Sequence, residues 1–141
     1  MLRVKIKYQP GVKPIKQAHP GEWFDLRAAE TVSFEPGNIV QIPLGVCMEL
    51  PPGYEAFVRP RSCMGRKHGL VFADSGVIDN DYNGDSDWWG STWLAARSGV
   101  ICKNQRICQF RIQRIQEKAD FITVEQMGND NRGGYGSTGE E

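Results

Sequence analysis

Polar and apolar residues alternate with a period of two over many short stretches of this chain. Residues 3–8, with the sequence RVKIKY, show the pattern, which is typical of a strand with one buried face. Elsewhere the same alternation, or a short apolar run between turn residues, predicts further strands. These lie at residues 31–34, 39–44, 45–50, 54–58, 69–73, 88–96, 100–103, 106–112 and 121–124.

Turn residues separate these stretches at intervals of about eight to twelve residues. With 16 glycines and 8 prolines, the chain is predicted to be all-β, a barrel or a sandwich. The single helix that the pattern favours, at residues 62–68, is predicted to be short because Gly65 interrupts it. Residues 100–103 and 106–112 are predicted to pair as a hairpin, with Asn104 in the left-handed conformation at its turn.

Length and charge limit the classes of function. The 141 residues predict one domain, with a β domain over 1–128 and a flexible, glycine-rich C-terminal arm over 129–141. The 17 basic and 17 acidic residues cancel, so no nucleic acid partner is expected.

The chain has no secretory signal and no apolar run of about 18 residues, so we expect a cytoplasmic protein that binds no membrane. The four cysteines have no zinc-type spacing and are expected to be reduced.

Candidate chemistry is densest at residues 76–85, with the sequence GVIDNDYNGD. Gly76 and Gly84 allow a tight strand-turn-strand, which can hold Asp79 and Tyr82 over a pocket. The free backbone groups of such a turn suit a flat polar ligand. Local composition alone favours the alternative, an ordinary solvated hairpin, and other stretches of the chain change that balance.

Two further stretches carry groups that bind anions. Arg61 and Ser62 open the predicted helix, where a guanidinium, a hydroxyl and backbone N–H groups can meet an anion. The alternative is a capping serine beside a surface arginine. Asp25 interrupts the apolar run 23–29, and such an acid is either hydrogen-bonded structurally or directed at a site.

Residues 131–141 lack the alternating pattern of a core element. Their composition alone is typical of a flexible terminus, yet their arginine, hydroxyls and aromatic ring could bind phosphates and a base. The residues in question are Arg132, Tyr135, Ser137 and Thr138. The run is not a Walker A loop, because it lacks the lysine and the following helix.

Together and in this order, five segments resemble the five motifs of the trimeric dUTP diphosphatases (dUTPases), in the branch of Gram-positive bacteria and their phages. The segments are residues 24–28, 60–65, 76–84, 106–109 and 132–139, and residues 43–54 are also similar. The resemblance covers nearly the whole chain. It implies a jelly-roll-like β-sandwich of the β-clip type, assembled as a homotrimer. Each site would combine the first, second and fourth motifs of one subunit, the third of a neighbour and the arm of the remaining subunit.

The resemblance also implies a reaction: dUTP and water give dUMP and pyrophosphate by attack at the α-phosphorus. This keeps uracil out of DNA and supplies dUMP for dTMP synthesis. Asp79 looks like the general base for the attacking water. Tyr82 would lie against the deoxyribose and exclude a 2′-hydroxyl. The uracil edge would be contacted by Asp74, Gly76, Val77 and Ile78.

The same resemblance assigns the triphosphate contacts. The α- and β-phosphates would be bound by Arg61, Ser62, Cys63 and Gln109. The arm would close over the γ-phosphate and the base through Arg132, Tyr135, Gly136, Ser137 and Thr138. Mg²⁺ is expected on the triphosphate oxygens, with Asp25 contacting it through water.

Some features leave alternatives open. The arm aromatic is usually Phe and here is Tyr135, whereas some relatives carry the base lid just after the third motif, where this chain has Trp88 and Trp89. A dCTP deaminase, alone or bifunctional, would share the fold but needs another carboxylate near cytosine C4, and none is evident. A phage-encoded regulator that binds a host protein and a generic β-sandwich binding module are the remaining readings.

Overall fold

The computed structural model describes residues 1–17, 19 and 21–134, which form eleven strands and one short helix. The strands are β1 (Lys5–Tyr8), β2 (Phe24–Arg27), β3 (Val32–Phe34), β4 (Ile39–Pro43), β5 (Val46–Glu49), β6 (Tyr54–Pro60), β7 (Leu70–Phe72), β8 (Val77–Ile78), β9 (Gly90–Ala95), β10 (Gly99–Ile101) and β11 (Arg106–Arg114). The helix α1 (Met64–His68) ends at Gly69, which is left-handed. No helix in the described part of the chain is of the length and apolarity that a membrane crossing requires.

All strand pairs are antiparallel. A four-stranded sheet has the order β2-β11-β6-β8, and a three-stranded sheet has the order β4-β9-β7. Two ribbons, β1-β5 and β10-β3, complete the fold. Antiparallel pairing with one apolar face per strand is what the period-two pattern predicts, so the all-β prediction is confirmed.

The two larger sheets share one core. Along β9, Ser91, Trp93 and Ala95 are buried, while the residues between them are exposed or half-buried. Trp89 meets Phe110 of β11 edge-on, with ring centroids 5.3 Å apart. The core is therefore filled by large rings supplied from both sheets.

A serine hydroxyl links two core strands. Ser91 Oγ donates to the carbonyl of Ile42 at 2.8 Å and accepts from the indole N–H of Trp93, also at 2.8 Å. Both partners are fully buried, so this hydroxyl satisfies two polar groups that water does not reach. The indole N–H of Trp89 has no partner among the described residues.

Three local predictions need correction. Residues 121–124 form no strand within the described chain, and Phe121 and Ile122 are 91% and 80% exposed. Residues 100–103 and 106–112 do not pair as a hairpin, because β10 pairs with β3 while β11 pairs with β2 and β6. In the stretch 76–85 only β8 is a strand, and it pairs with β6 instead of a returning strand. The left-handed Asn104 is confirmed, with φ of 70°.

Candidate active site

Strands β2 and β11 bring the first and fourth motifs together. Asp25 and Gln109 are register partners on these neighbouring strands. One carboxylate oxygen of Asp25 lies 3.2 Å from Nε of Arg61, and the other lies 3.1 Å from a guanidinium nitrogen of Arg106. The backbone N–H of Arg61 donates to the carbonyl of Ile107, which ties the second motif to the fourth. We call Asp25, Arg61, Arg106 and Gln109 the Asp25 cluster.

The Asp25 cluster keeps a positive balance. Two guanidinium groups surround one carboxylate, so one cationic charge remains for an anion. The side chains of Arg61 and Arg106 are 30% and 48% exposed, so an anion in solvent can reach both. Both oxygens of Asp25 face arginines, so each takes part in an ion pair.

Ser62 and Cys63 lie at the start of α1. The helix begins after Cys63, and this N-cap residue makes no side-chain hydrogen bond. Because Cys63 occupies the N-cap position, Ser62, which is exposed, is not the capping serine of the alternative interpretation. The predicted helix at 62–68 is confirmed in a shortened form.

Gly76 fixes the path of the third motif. Its φ is +82°, and its carbonyl accepts the backbone N–H of Val58 at 2.6 Å, extending the β6-β8 ladder. A Cβ at this position would lie 2.2 Å from the carbonyl oxygen of Val58. Only glycine fits this close backbone approach.

A tight turn follows β8. The carbonyl of Asp79 accepts the backbone N–H of Tyr82 at 3.1 Å. The side-chain amide of Asn80 donates to the carbonyls of Pro51 and Tyr54 at 2.9 and 2.7 Å, which anchors the turn to the chain between β5 and the start of β6. The carboxylate of Asp79 is thereby held at an exposed position on a rigid support.

The third motif lines a cavity of about 660 Å³, a size typical of small-molecule sites. Its walls come from the third motif and from the segment that leads into β9, and they include Asp74, Gly76, Val77, Ile78, Asp79, Tyr82, Trp88 and Trp89. The lining residues that the sequence did not single out include Glu30, Gln41 and Thr92. They are surface polar residues with no motif around them.

Individual wall residues differ in their freedom to meet a ligand. Asp74 accepts the backbone N–H of Thr92 at 2.6 Å, so one carboxylate oxygen is engaged in holding the third motif against β9. The hydroxyl of Tyr82 donates to the carbonyl of Trp88 at 2.9 Å, and burial raises the pKa of Tyr82. Trp89 is buried in the core, whereas Trp88 is half-buried, so Trp88 is the more accessible of the two tryptophans.

Asp79 and Arg61 are far apart within one chain. Ile78 pairs with Ala56 of β6, and Arg61 follows Ala56 by five residues. At a rise of about 3.3 Å per residue, this separation is roughly 17 Å along the strand. Asp79 continues beyond Ile78 in the opposite direction, so one chain does not bring its own Asp79 to its own Arg61.

The arm is described only in part. Arg132 is exposed near the end of the described residues. Tyr135, Gly136, Ser137 and Thr138 lie outside them. Among residues 1–17, 19 and 21–134, no three His, Cys, Asp or Glu side chains are grouped to hold a metal ion.

Comparisons with known proteins agree on one family. A family model for dUTPase matches residues 15–139. The chain is 46% identical over 140 residues to the SPbeta prophage-derived deoxyuridine 5′-triphosphate nucleotidohydrolase YosS of Bacillus subtilis, covering 98% of this chain and 99% of that protein. It is 35% identical to the deoxyuridine 5′-triphosphate nucleotidohydrolase of Thermobifida fusca, covering 98% of this chain and 79% of that one.

Solved structures share the fold. A dUTPase mutant of Staphylococcus bacteriophage 80alpha with dUpNHpp matches with a TM-score of 0.75 at 22% identity, covering 98% of this chain and 99% of that one. A dUTPase mutant from phage phi11 of S. aureus, described with a structural Mg(II) ion, matches with a TM-score of 0.71 at 20% identity, covering 89% and 98%. The jelly-roll-like β fold expected from the sequence is therefore confirmed.

Proposed function

This chain belongs to the dUTPase family and hydrolyses dUTP to dUMP and pyrophosphate, and we propose that Asp79 is the general base of this reaction. One observation carries the assignment: Asp79 and Tyr82 share the wall of a cavity of about 660 Å³, on a turn anchored by Asn80. An exposed carboxylate on a rigid turn can accept a proton from water. The water oxygen then attacks the α-phosphorus, and pyrophosphate leaves with the electrons of the broken P–O bond.

The test is the variant Asp79→Asn, which keeps the shape of the side chain and removes its basicity. Turnover of dUTP is expected to fall by about 10²–10⁴-fold, the usual contribution of a general base. Binding of dUTP, measured by calorimetry, should stay within a few-fold of the parent protein. Asp81→Asn, two residues along the same turn, is the matched control and should keep its turnover. Undiminished hydrolysis by Asp79→Asn would refute the assignment.

We propose that the cavity binds the deoxyuridine moiety. Backbone groups of Gly76, Val77 and Ile78 lie at its wall and would contact the uracil edge. Asp74 also lies there, but its bond to Thr92 supports a role in holding this wall in place. Tyr82 would close the sugar side and leave no space for a 2′-hydroxyl.

We propose that the Asp25 cluster of one subunit, with Ser62 and Cys63, binds the α- and β-phosphates. The positive balance around Asp25 supports this role. Mg²⁺, when bound, would neutralise triphosphate charge, and Asp25 would contact it through water. Arg132 with Tyr135, Gly136, Ser137 and Thr138 would form the arm over residues 129–141 that covers the nucleotide. Whether Tyr135 or Trp88 stacks on the base is decided by replacing each with Leu and comparing the KM for dUTP.

We propose that the working form is a homotrimer. Within one chain, Ile78 lies roughly 17 Å along β6 from Arg61, and Asp79 lies beyond Ile78, which supports shared sites. A second support is the exposed apolar segment after β11, in which Phe121, Ile122 and Met127 lie open to solvent. In the proposed trimer another chain would cover these exposed apolar side chains. Light scattering should give three times the 15.8 kDa chain mass, and an active particle of one chain mass would refute the proposal.

The other readings are weaker. A deaminase is not favoured, because the matched relatives are nucleotidohydrolases. Binding of a host regulatory protein stays a prediction: phage 80alpha dUTPases are described as controlling transfer of virulence genes, but at 22% identity they share only the fold with this chain. We propose a cytoplasmic location because the substrate is a free nucleotide of DNA synthesis.

A further inference from the structure

The loop between Tyr82 and Trp88 is fastened to the β1-β5 ribbon. Lys7 and Cys47 are register partners on these two strands. The ammonium of Lys7 and the thiol of Cys47 both donate to one acceptor, the backbone carbonyl of Asp85, with a sulfur-to-oxygen distance of 3.7 Å for Cys47. A cross-strand pair of side chains therefore holds a single carbonyl of the loop.

Both donors are suited to this contact. Burial raises the pKa of the Cys47 thiol, so the sulfur keeps its proton. The ammonium of Lys7 also lies 3.5 Å from the carboxylate of Asp85 and 4.8 Å from the centre of the Trp88 ring. A cation over an aromatic face at this distance is attracted to the ring. Lys7 thus contacts the loop at two residues, Asp85 and Trp88.

These contacts continue to the cavity wall. The carbonyl of Trp88 accepts the hydroxyl of Tyr82 at 2.9 Å, and both residues line the cavity. The loop positions Trp88, and Trp88 positions the ring of Tyr82. An exposed lysine on β1 is in this way connected to the wall against which the sugar is expected to lie.

We propose that Lys7 is a positioning residue for sugar selection, which holds the 83–88 loop so that Tyr82 stays close enough to exclude a 2′-hydroxyl. This inference rests on the role proposed for Tyr82. Lys7 does not touch the nucleotide. Its loss therefore affects the choice between dUTP and UTP more than it affects the turnover of dUTP.

The experiment compares kcat/KM for dUTP and UTP in Lys7→Met, which keeps the apolar stem and removes the charge. The ratio of the two values is expected to fall about fivefold, the effect associated with losing an exposed cation–π contact and a hydrogen bond. The kcat for dUTP should stay within about twofold, so that the change lies in KM and in UTP turnover. Lys7→Arg, which retains a donor and a cation, should restore most of the ratio. The Lys7 side chain is 46% exposed, so both variants are expected to fold, and urea midpoints check this.

The matched control is Lys5→Met. Lys5 lies two residues earlier on the same face of β1 and pairs with Glu49 at 3.4 Å, away from the loop. Lys5→Met should keep the parent protein's ratio of kcat/KM for dUTP to kcat/KM for UTP. An equal fall in both lysine variants would overturn the proposal, because it would indicate a general effect of surface charge.

Tyr82→Ala separates the inference from the function on which it rests. If Tyr82→Ala lowers the ratio and Lys7→Met does not, the role of Lys7 is refuted and that of Tyr82 stands. If Tyr82→Ala keeps the ratio, the proposed sugar wall is wrong and the inference about Lys7 falls with it. A fall in both, with Lys5→Met unchanged, supports both assignments.

Discussion

Replacing Gly76 with Ala is expected to displace the third motif from its position beside β6. The residue has φ of +82°, a conformation that an L-residue with a Cβ adopts only with strain. The new Cβ would also lie 2.2 Å from the carbonyl oxygen of Val58, a backbone atom in the middle of β6. Since β6 is held on its other side by β11, the third motif has to move instead.

The magnitude follows from two separate costs. The left-handed conformation costs about 1–2 kcal/mol for alanine. Moving the third motif away from β6 breaks the 2.6 Å hydrogen bond from Val58 to Gly76 and leaves a buried N–H without a partner. That loss costs about 1–3 kcal/mol. Gly76→Ala should therefore lower the free energy of unfolding by about 2–5 kcal/mol.

Gly37→Ala isolates the first cost. Its φ is +84°, and a Cβ there would meet nothing within 4 Å. Urea unfolding of both variants at one protein concentration, with kcat/KM for dUTP measured in parallel, gives the comparison. Gly37→Ala should lose about 1–2 kcal/mol and keep its kcat/KM. Equal destabilisation by the two variants, or full activity in Gly76→Ala, would contradict the reasoning.

Three further changes have defined outcomes. Ser91→Ala strips partners from the buried groups of Trp93 and Ile42, so urea unfolding should show a loss of about 1–3 kcal/mol. Asn104→Gly suits φ of 70° but removes two side-chain hydrogen bonds to the N-terminal loop, and a net loss of about 1 kcal/mol is expected in the same assay. Burial raises the pKa of Cys108 from 9.0 to about 12. Above pH 9 the unfolded thiol loses its proton before the folded one, so stability should fall by up to about 1.4 kcal/mol per pH unit between pH 9 and 12, a slope that Cys108→Ala removes.

Local pattern predicted most strands because several strands of this fold alternate buried and exposed residues. β4 shows why this works, since Val40 and Ile42 are buried while Ile39 and Gln41 are exposed. Strand partners are a different matter, because pairing depends on contacts between residues distant in sequence. The left-handed turn at Asn104 was predicted correctly. The strand before it, β10, nevertheless pairs with β3 and not with β11, the strand after the turn. Residues 121–124 have the composition of a strand but no partner within the described chain.

The site was predicted from its motifs, and the roles of its residues stay predictions. The ion pair between Arg106 and Asp25 had no sequence signal, because a bulge between Arg106 and Cys108 shifts the register of β11 against β2. The cavity residues Glu30 and Thr92 were likewise missed. They reach the wall through loop paths and a neighbouring sheet, which spacing along the chain does not encode.

In the proposed homotrimer, the separation between Asp79 and Arg61 of one chain along β6 has a genetic consequence. Asp79→Asn and Arg61→Gln chains should each be inactive alone, yet a mixture that is unfolded and reassembled should regain activity. A mixed assembly can join an intact Asp79 from one kind of chain to an intact Arg61 from the other. Two alleles that carry these defects would then complement each other, because catalytic activity would belong to the assembly and not to the single polypeptide.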